Sequence, residues 1–265
     1  MSPEIEMTKV HLLGRGPGGS ARTSLALDRG TLAANRIVGF EPMDENAQSF
    51  FQIRSALLNH AQATGQRIFA VTSGEPRNGK THVAVNLAAA LSRIHPTVLV
   101  ELDMRQPSVG QRLGLPSSPP GVDDYLAGET GWCETRVQIE GFDLGIHRVR
   151  KRRHDAETLL NSTRLANALR LSCAAEGRPI CIVDTPPAIM TDDLVLIARA
   201  VDGFLLVAQE ARTRKRGLLD VVSALSPTPV IGSVLNMSIS SPAPRVDYGC
   251  YYSSKNFTPA AEPAA

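Results

Sequence analysis

The sequence predicts a doubly wound α/β domain, with a mainly parallel sheet covered by helices on both faces. Three observations carry that expectation. Five short segments, at 67–73, 97–103, 178–184, 202–209 and 229–236, are apolar along their whole length rather than on alternate residues, as strands buried on both faces are. Between them lie stretches with helical spacing of apolar residues, so strands and helices alternate as in βαβ units. And a glycine-bounded loop, "SGEPRNGKT" at 73–81, joins the first of these strands to the first long apolar helix.

Residues 1–35 are rich in Gly, Ser, Thr and Arg, including "GRGPGGSART", and read as a disordered N-terminal arm. The folded domain is expected over 36–238. It enters through "MDENAQSFFQIRSALLNHAQ" (43–62), where Phe50, Phe51, Ile53, Leu57 and Leu58 share a helical face. "RIFAVTS" is the first strand, the loop follows, and a helix runs to about Arg93. "TVLVELD" (97–103), "RPICIVD" (178–184), "DGFLLVAQ" (202–209) and "PVIGSVLN" (229–236) supply the other strands. "SVGQRLGL", "GVDDYLAG", "ETLLNSTRLANALRLSCAAE", "TDDLVLIARAV" and "KRGLLDVVSAL" read as helices between them. From residue 239 to 265 the chain is rich in Ser, Pro and Ala and reads as a flexible tail.

Bulk properties narrow the function. The 265 residues are 43% hydrophobic and 20% charged with a net charge of +2, which gives no global electrostatic case for nucleic acid. The four cysteines, Cys133, Cys173, Cys181 and Cys250, include no Cys-x-x-Cys pair, so zinc spacing is absent and the thiols read as structural. "MSPEIEMTKV" lacks the apolar core of a secretory signal, and no run reaches the roughly 18–20 apolar residues that cross a bilayer. The expectation is a cytoplasmic protein that meets a membrane only through a partner.

Gly74-Glu75-Pro76-Arg77-Asn78-Gly79-Lys80-Thr81 fits G-x-x-x-x-G-K-[ST] without a mismatch. Such a loop turns successive N–H groups onto phosphate oxygens, and the helix behind it adds the positive end of its dipole. Lys80 is placed to reach the β- and γ-phosphates of ATP, and the Thr81 hydroxyl to hold Mg²⁺. The nucleotide-contacting stretch is taken as residues 74–82; within it the His82 ring reads as a packing group. Two apolar strands then end in acids. Glu101 and Asp103 lie two residues apart, on one face of a strand, and Asp184 closes "CIVD". Ligands of open α/β sheets sit at the carboxyl ends of strands, and Mg²⁺ takes oxygen ligands. Asp184 therefore reads as the principal metal acid, Asp103 as a second, and Glu101 as a candidate base for an incoming hydroxyl.

With these motifs in order, the chain resembles the bacterial protein-tyrosine kinases (BY-kinases) of capsule and exopolysaccharide assembly, over roughly 36–238. The resemblance rests on the phosphate loop, on "VLVELDMRQPSV" against a motif of apolar residues then D-x-D-x-R (Asp103 and Arg105 match), and on "CIVDTPP" against apolar residues then D-x-x-P (Asp184 and Pro187 match). It implies a P-loop fold of the MinD/ParA class and Mg·ATP-dependent autophosphorylation on C-terminal tyrosines, here Tyr248, Tyr251 and Tyr252. It also implies activation by the cytosolic tail of a membrane polysaccharide co-polymerase, homo-oligomeric rings that support polymer export, and Arg105 and Asn236 as further nucleotide contacts. Three departures stand out. Glu101 replaces the first aspartate of D-x-D. The assembly motif E-x-x-R-x-x-R aligns with Gln48, Phe51 and Arg54, so only its last residue is kept. Arg77-Asn78 replaces Gly-Glu in the loop.

Two other functions are compatible with the same loop. One is a nucleotide-sensing scaffold of weak or no kinase activity that regulates the same machinery. The other is a partition-type ATPase, whose loop carries an extra lysine at the position of Glu75. The basic runs 148–153 and 212–216 read as solvated faces, or as contacts for an acidic tail, phosphates or anionic lipid.

Overall fold

A computed structural model describes residues 10–13, 22–188 and 192–238. Nine strands form one sheet: β1 (Val10–Leu13), β2 (Arg22–Leu25), β3 (Ile68–Ser73), β4 (Thr97–Glu101), β5 (Arg136–Ile139), β6 (Leu144–His147), β7 (Ile180–Asp184), β8 (Gly203–Gln209) and β9 (Val230–Asn236). Their order is β1-β2-β5-β6-β4-β7-β3-β8-β9. The run from β6 to β9 is parallel throughout, while β1–β2 and β5–β6 are antiparallel. The helices are α1 (Arg29–Ala34), α2 (Gln48–Thr64), α3 (Lys80–Ser92), α4 (Val109–Leu113), α5 (Val122–Leu126), α6 (Ala156–Leu160), α7 (Thr163–Ala174), α8 (Asp193–Ala198) and α9 (Lys215–Leu225).

Every residue of β3, β4 and β7 is buried, which is why these strands carry no polar alternation. Helices α1 to α4 pack on one face of the sheet through Leu32, Leu57, Val83, Leu87 and Val109. Helices α5 to α9 pack on the other through Tyr125, Leu160, Leu169, Ile197 and Val221. Helix α3 is almost wholly buried. Its alanines let backbone approach closely: a Cβ on Gly39 would collide with the Asn86 carbonyl and Ala89. Asn86 in turn accepts from the Val38 and Gly39 amides at 2.7 and 2.9 Å, fastening the entry segment to the helix.

Several expectations change. Residues 22–35 are not a disordered arm. β2 pairs in parallel with β5, Leu25 is fully buried, and Asp28 caps α1 by accepting from the Thr31 amide. The expected helix over 157–176 is two, because Ser162 adopts extended geometry and caps α7 through the Arg164 amide. The β5–β6 hairpin was not expected, although Val137 and Ile139 alternate with polar residues ahead of Glu140-Gly141.

The first basic run is solvated only in part: Arg150, Lys151 and Arg152 are exposed, but its first cation is not. Arg148 is buried, its guanidinium donating to the Pro116 and Pro119 carbonyls at 2.7 and 3.0 Å. Arg150 forks onto Asp124, and Arg153 onto Asp155. His147, also buried, stacks on Trp132 with centroids 3.8 Å apart and bonds Thr135; burial holds its pKa well below the usual histidine range. Among the described residues no helix is long and apolar enough to cross a membrane.

Candidate functional site

The loop between β3 and α3 is bent by left-handed backbone at Arg77 (φ 67°) and Gly79 (φ 91°). Gly79 has a second constraint, since a Cβ there would strike the Asn236 amide. That amide donates to the Asn78 carbonyl at 2.9 Å, so the end of β9 lies across the loop. Asn78 is buried and reaches Thr213 Oγ1 at 3.0 Å, and this hydroxyl also accepts from the Gln209 amide. Glu75 lies 3.8 Å from Arg212 in a partly exposed pair. The loop is thus braced from β8 and β9 before α3 begins at Lys80.

A cleft of about 240 Å³ opens above the carboxyl ends of the central strands, lined by Arg77, Gly79–His82, Asp103, Arg105, Arg112 and the two prolines after Asp184, among others. Lys80 Nζ is 2.7 Å from Asp103 Oδ2 and 3.4 Å from Thr81 Oγ1. Burial alone would lower the lysine's pKa; Asp184 and Asp103 outweigh it and raise it. Asp103 also accepts from the Gln106 amide through Oδ1. The side chain expected to grip phosphate and the acid expected to meet the metal hold each other.

Asp184 lies beneath this pair. It is fully buried, and neither carboxylate oxygen has a hydrogen-bond partner of good geometry. Burial pushes its pKa up to about 6, against the pull of Lys80 and the nearby Thr81 hydroxyl. A buried, unpartnered carboxylate is costly, and a hard cation would relieve it. No group of three or more His, Cys, Asp or Glu that could hold a metal occurs among the described residues. Mg²⁺ keeps several waters and binds through one or two carboxylates plus substrate phosphates. Asp184, Thr81 and, once released from Lys80, Asp103 offer oxygen donors of that kind.

Glu101, read as a candidate base, has a structural placement instead of an open one. β4 ends at Glu101, so Asp103 lies beyond the strand and the two acids do not share a face. Glu101 is fully buried and is not among the cleft-lining residues. Its Oε1 accepts from the Ser108 and Val109 amides at 2.5 and 2.8 Å, and its Oε2 from the Val149 amide at 2.9 Å. Burial and the facing Asp184 push its pKa up to about 7, against those three amides. It ties the start of α4 and the segment after β6 to β4, so both its oxygens are engaged by backbone amides.

The other candidate residues are placed as follows. Arg105 lines the cleft, but its guanidinium is committed to the buried Asp193 at 2.7 and 3.1 Å. His82 lines the cleft, meets Phe50 edge-on and lies beside Asn86; burial, then Arg112 and Arg36, lower its pKa. Arg54 lies over the Phe51 ring and donates to the Ala90 carbonyl at 3.3 Å. Tyr248, Tyr251 and Tyr252 lie outside the described residues. Arg112, which lines the cleft from α4, was not anticipated; its only sequence signal is a cation inside the short apolar pattern of "SVGQRLGL".

No family model matches the chain. Among curated proteins it is 28% identical over 215 residues to tyrosine-protein kinase wzc of Salmonella typhimurium, covering 79% of this chain and 29% of that protein. It is 27% identical over 210 residues to the succinoglycan biosynthesis transport protein ExoP of Rhizobium meliloti, covering 76% and 26%. The chain therefore spans under a third of the length of these relatives. The solved kinase domain of VpsO matches with a TM-score of 0.63 at 26% identity, covering 72% of this chain and 95% of that one. That of the Escherichia coli tyrosine kinase ETK matches with a TM-score of 0.67 at 20% identity, covering 78% and 83%. The cell division ATPase MinD of Pyrococcus furiosus shares the fold more distantly, with a TM-score of 0.55 over 64% of this chain. In sequence and in fold, the chain is similar to bacterial protein-tyrosine kinases, on an α/β scaffold that the MinD ATPase shares.

Proposed function

We propose that this chain is an ATP- and Mg²⁺-dependent tyrosine autokinase that regulates exopolysaccharide polymerisation and export with a membrane co-polymerase. The observation that carries the proposal is the convergence of Lys80, Thr81 and Asp103 in one cleft behind a braced loop, next to the buried Asp184, whose carboxylate has no hydrogen-bond partner of good geometry. The names of its relatives, a tyrosine kinase and a succinoglycan transport protein, support the same reading.

In this reading Thr81 and Asp184 would hold Mg²⁺, which would supply charge neutralisation to the phosphates. The loop amides position the phosphates. Lys80 would exchange Asp103 for the phosphate oxygens, and the released Asp103 would take the tyrosine proton as the tyrosine oxygen bonds the γ-phosphorus and ADP leaves. Glu101 has no chemical step. Catalysis of this kind is mainly positioning and charge neutralisation. Asn236 stands beside the loop where a purine would enter, and the chain continues from β9 at that point toward Tyr248, Tyr251 and Tyr252.

A second reading, a nucleotide-sensing scaffold of the same machinery, is favoured by one observation: Lys80 and Asp103 neutralise each other and Glu101 is spent on backbone amides. A partition-type ATPase is disfavoured, because the position of its cross-dimer lysine is Glu75, paired with this chain's own Arg212. The test is incubation with Mg·ATP and the co-polymerase's cytosolic tail, followed by phosphotyrosine detection. Label lost in Lys80→Met and in the triple Tyr248/Tyr251/Tyr252→Phe variant supports the kinase; nucleotide binding without label supports the scaffold.

A further inference from the structure

Among the described residues, four cationic side chains line the cleft: Arg77, Lys80, Arg105 and Arg112. Lys80 is paired with Asp103, and Arg105 with Asp193. Arg77 projects from the loop and is exposed. Arg112 differs from all three. It lines the cleft from the last turn of α4, is half-buried, and makes no ion pair among the described residues. Its Nε is shut off from water and meets no acceptor. An unsatisfied buried donor on a charged group is expensive, so the position calls for an anion.

Geometry says which end of the cleft it serves. Arg112 shares the cleft's lining with Lys80, Thr81 and His82 from the first turn of α3 and with Asp103, whereas Asn236 is not among the lining residues. Helix α4 is held there firmly. Val109 and Leu113 are buried beneath it, and Glu101 takes the amides of Ser108 and Val109 at its start. A guanidinium on a fixed support can fork onto two oxygens of one phosphoryl group, as the arginines that stabilise transferring phosphate do in other phosphoryl-transfer sites.

We propose that Arg112 contacts the terminal phosphate of the bound nucleoside triphosphate, so that the cleft distinguishes a triphosphate from a diphosphate through this residue. The proposal rests on the nucleotide-binding reading above and deepens it. It also gives Glu101 a purpose as the residue that seats α4 beneath Arg112.

The test is calorimetric titration of the full chain with ADP and with a non-hydrolysable ATP analogue, both with Mg²⁺, for wild type, Arg112→Ala and Arg112→Lys. Loss of a charge-assisted contact predicts that Arg112→Ala weakens the triphosphate analogue about 10-fold or more and leaves ADP close to wild type. Arg112→Lys, which keeps charge but not the fork, should fall between. Unchanged ADP affinity also reports that each variant has folded. Equal weakening of both nucleotides, or no change in either, overturns the role of Arg112 while leaving nucleotide binding intact. Wild type that binds neither nucleotide overturns both readings.

Discussion

Replacing Asp184 with asparagine should make the protein more stable and its nucleotide site worse. Burial moves this carboxyl from its ordinary 3.8 up to about 6. At 1.36 kcal/mol for each pH unit of displacement, the folded chain disfavours the ionised form by about 3 kcal/mol relative to the unfolded chain. The sign follows from the direction. A carboxyl whose folded pKa is raised leaves stability undiminished below the unfolded value. Stability then falls as pH rises from 3.8 through about 6, and the loss is complete above that. Asparagine cannot ionise, so Asp184→Asn should recover part of this loss near pH 7.5. Its amide brings donors that also need partners, which reduces the gain to about 1–3 kcal/mol. In a domain of this size that is a rise in Tm of about 2–4 °C per kcal/mol. Calorimetric melting without nucleotide, near pH 7.5 and again near pH 4.5, measures it, and the advantage should shrink at the lower pH. Added Mg·ATP should stabilise wild type and not the variant. An Asp184→Asn protein that melts below wild type near pH 7.5, or by the same margin at both pH values, would show that the carboxylate is not the strained group described here.

Two further outcomes probe the supports of the site. Glu101→Gln keeps the length of the side chain but turns an N–H₂ group toward backbone amides that themselves donate. It should cost about 1–3 kcal/mol in denaturant unfolding, whereas a Glu101 that acted only as a base would leave stability unchanged. Gly79→Ala meets both the 91° φ and the Asn236 amide. It should lose about 1–3 kcal/mol from backbone strain and weaken nucleotide binding, measured by thermal melting with and without Mg·ATP; wild-type affinity would mean that β9 does not brace the loop.

The local chemistry of this protein was legible because it is written in short contiguous patterns. Continuous apolar runs marked β3, β4, β7 and β8, because a strand buried on both faces has no room for alternation; the edge strand β9 carries a similar run but is only partly buried. The spacing from Gly74 to Thr81 marked the phosphate loop, because each of its tasks needs a particular residue type at a particular step. Asp184 at the end of a buried strand was readable for the same reason. What tertiary structure decided was the partner of each charge. Glu101 and Asp103 are two residues apart in sequence, yet one meets amides at the start of α4 and in the segment after β6 while the other meets Lys80, because β4 ends between them. Arg105 matched a motif but is committed to Asp193, 88 residues further along the chain. Arg148 looked like surface charge and lies inside, since carbonyls 29 and 32 residues earlier in the chain satisfy it. A motif specifies which groups are present; only the fold, by bringing distant donors and acceptors within 3 Å, determines which of them remain free to act.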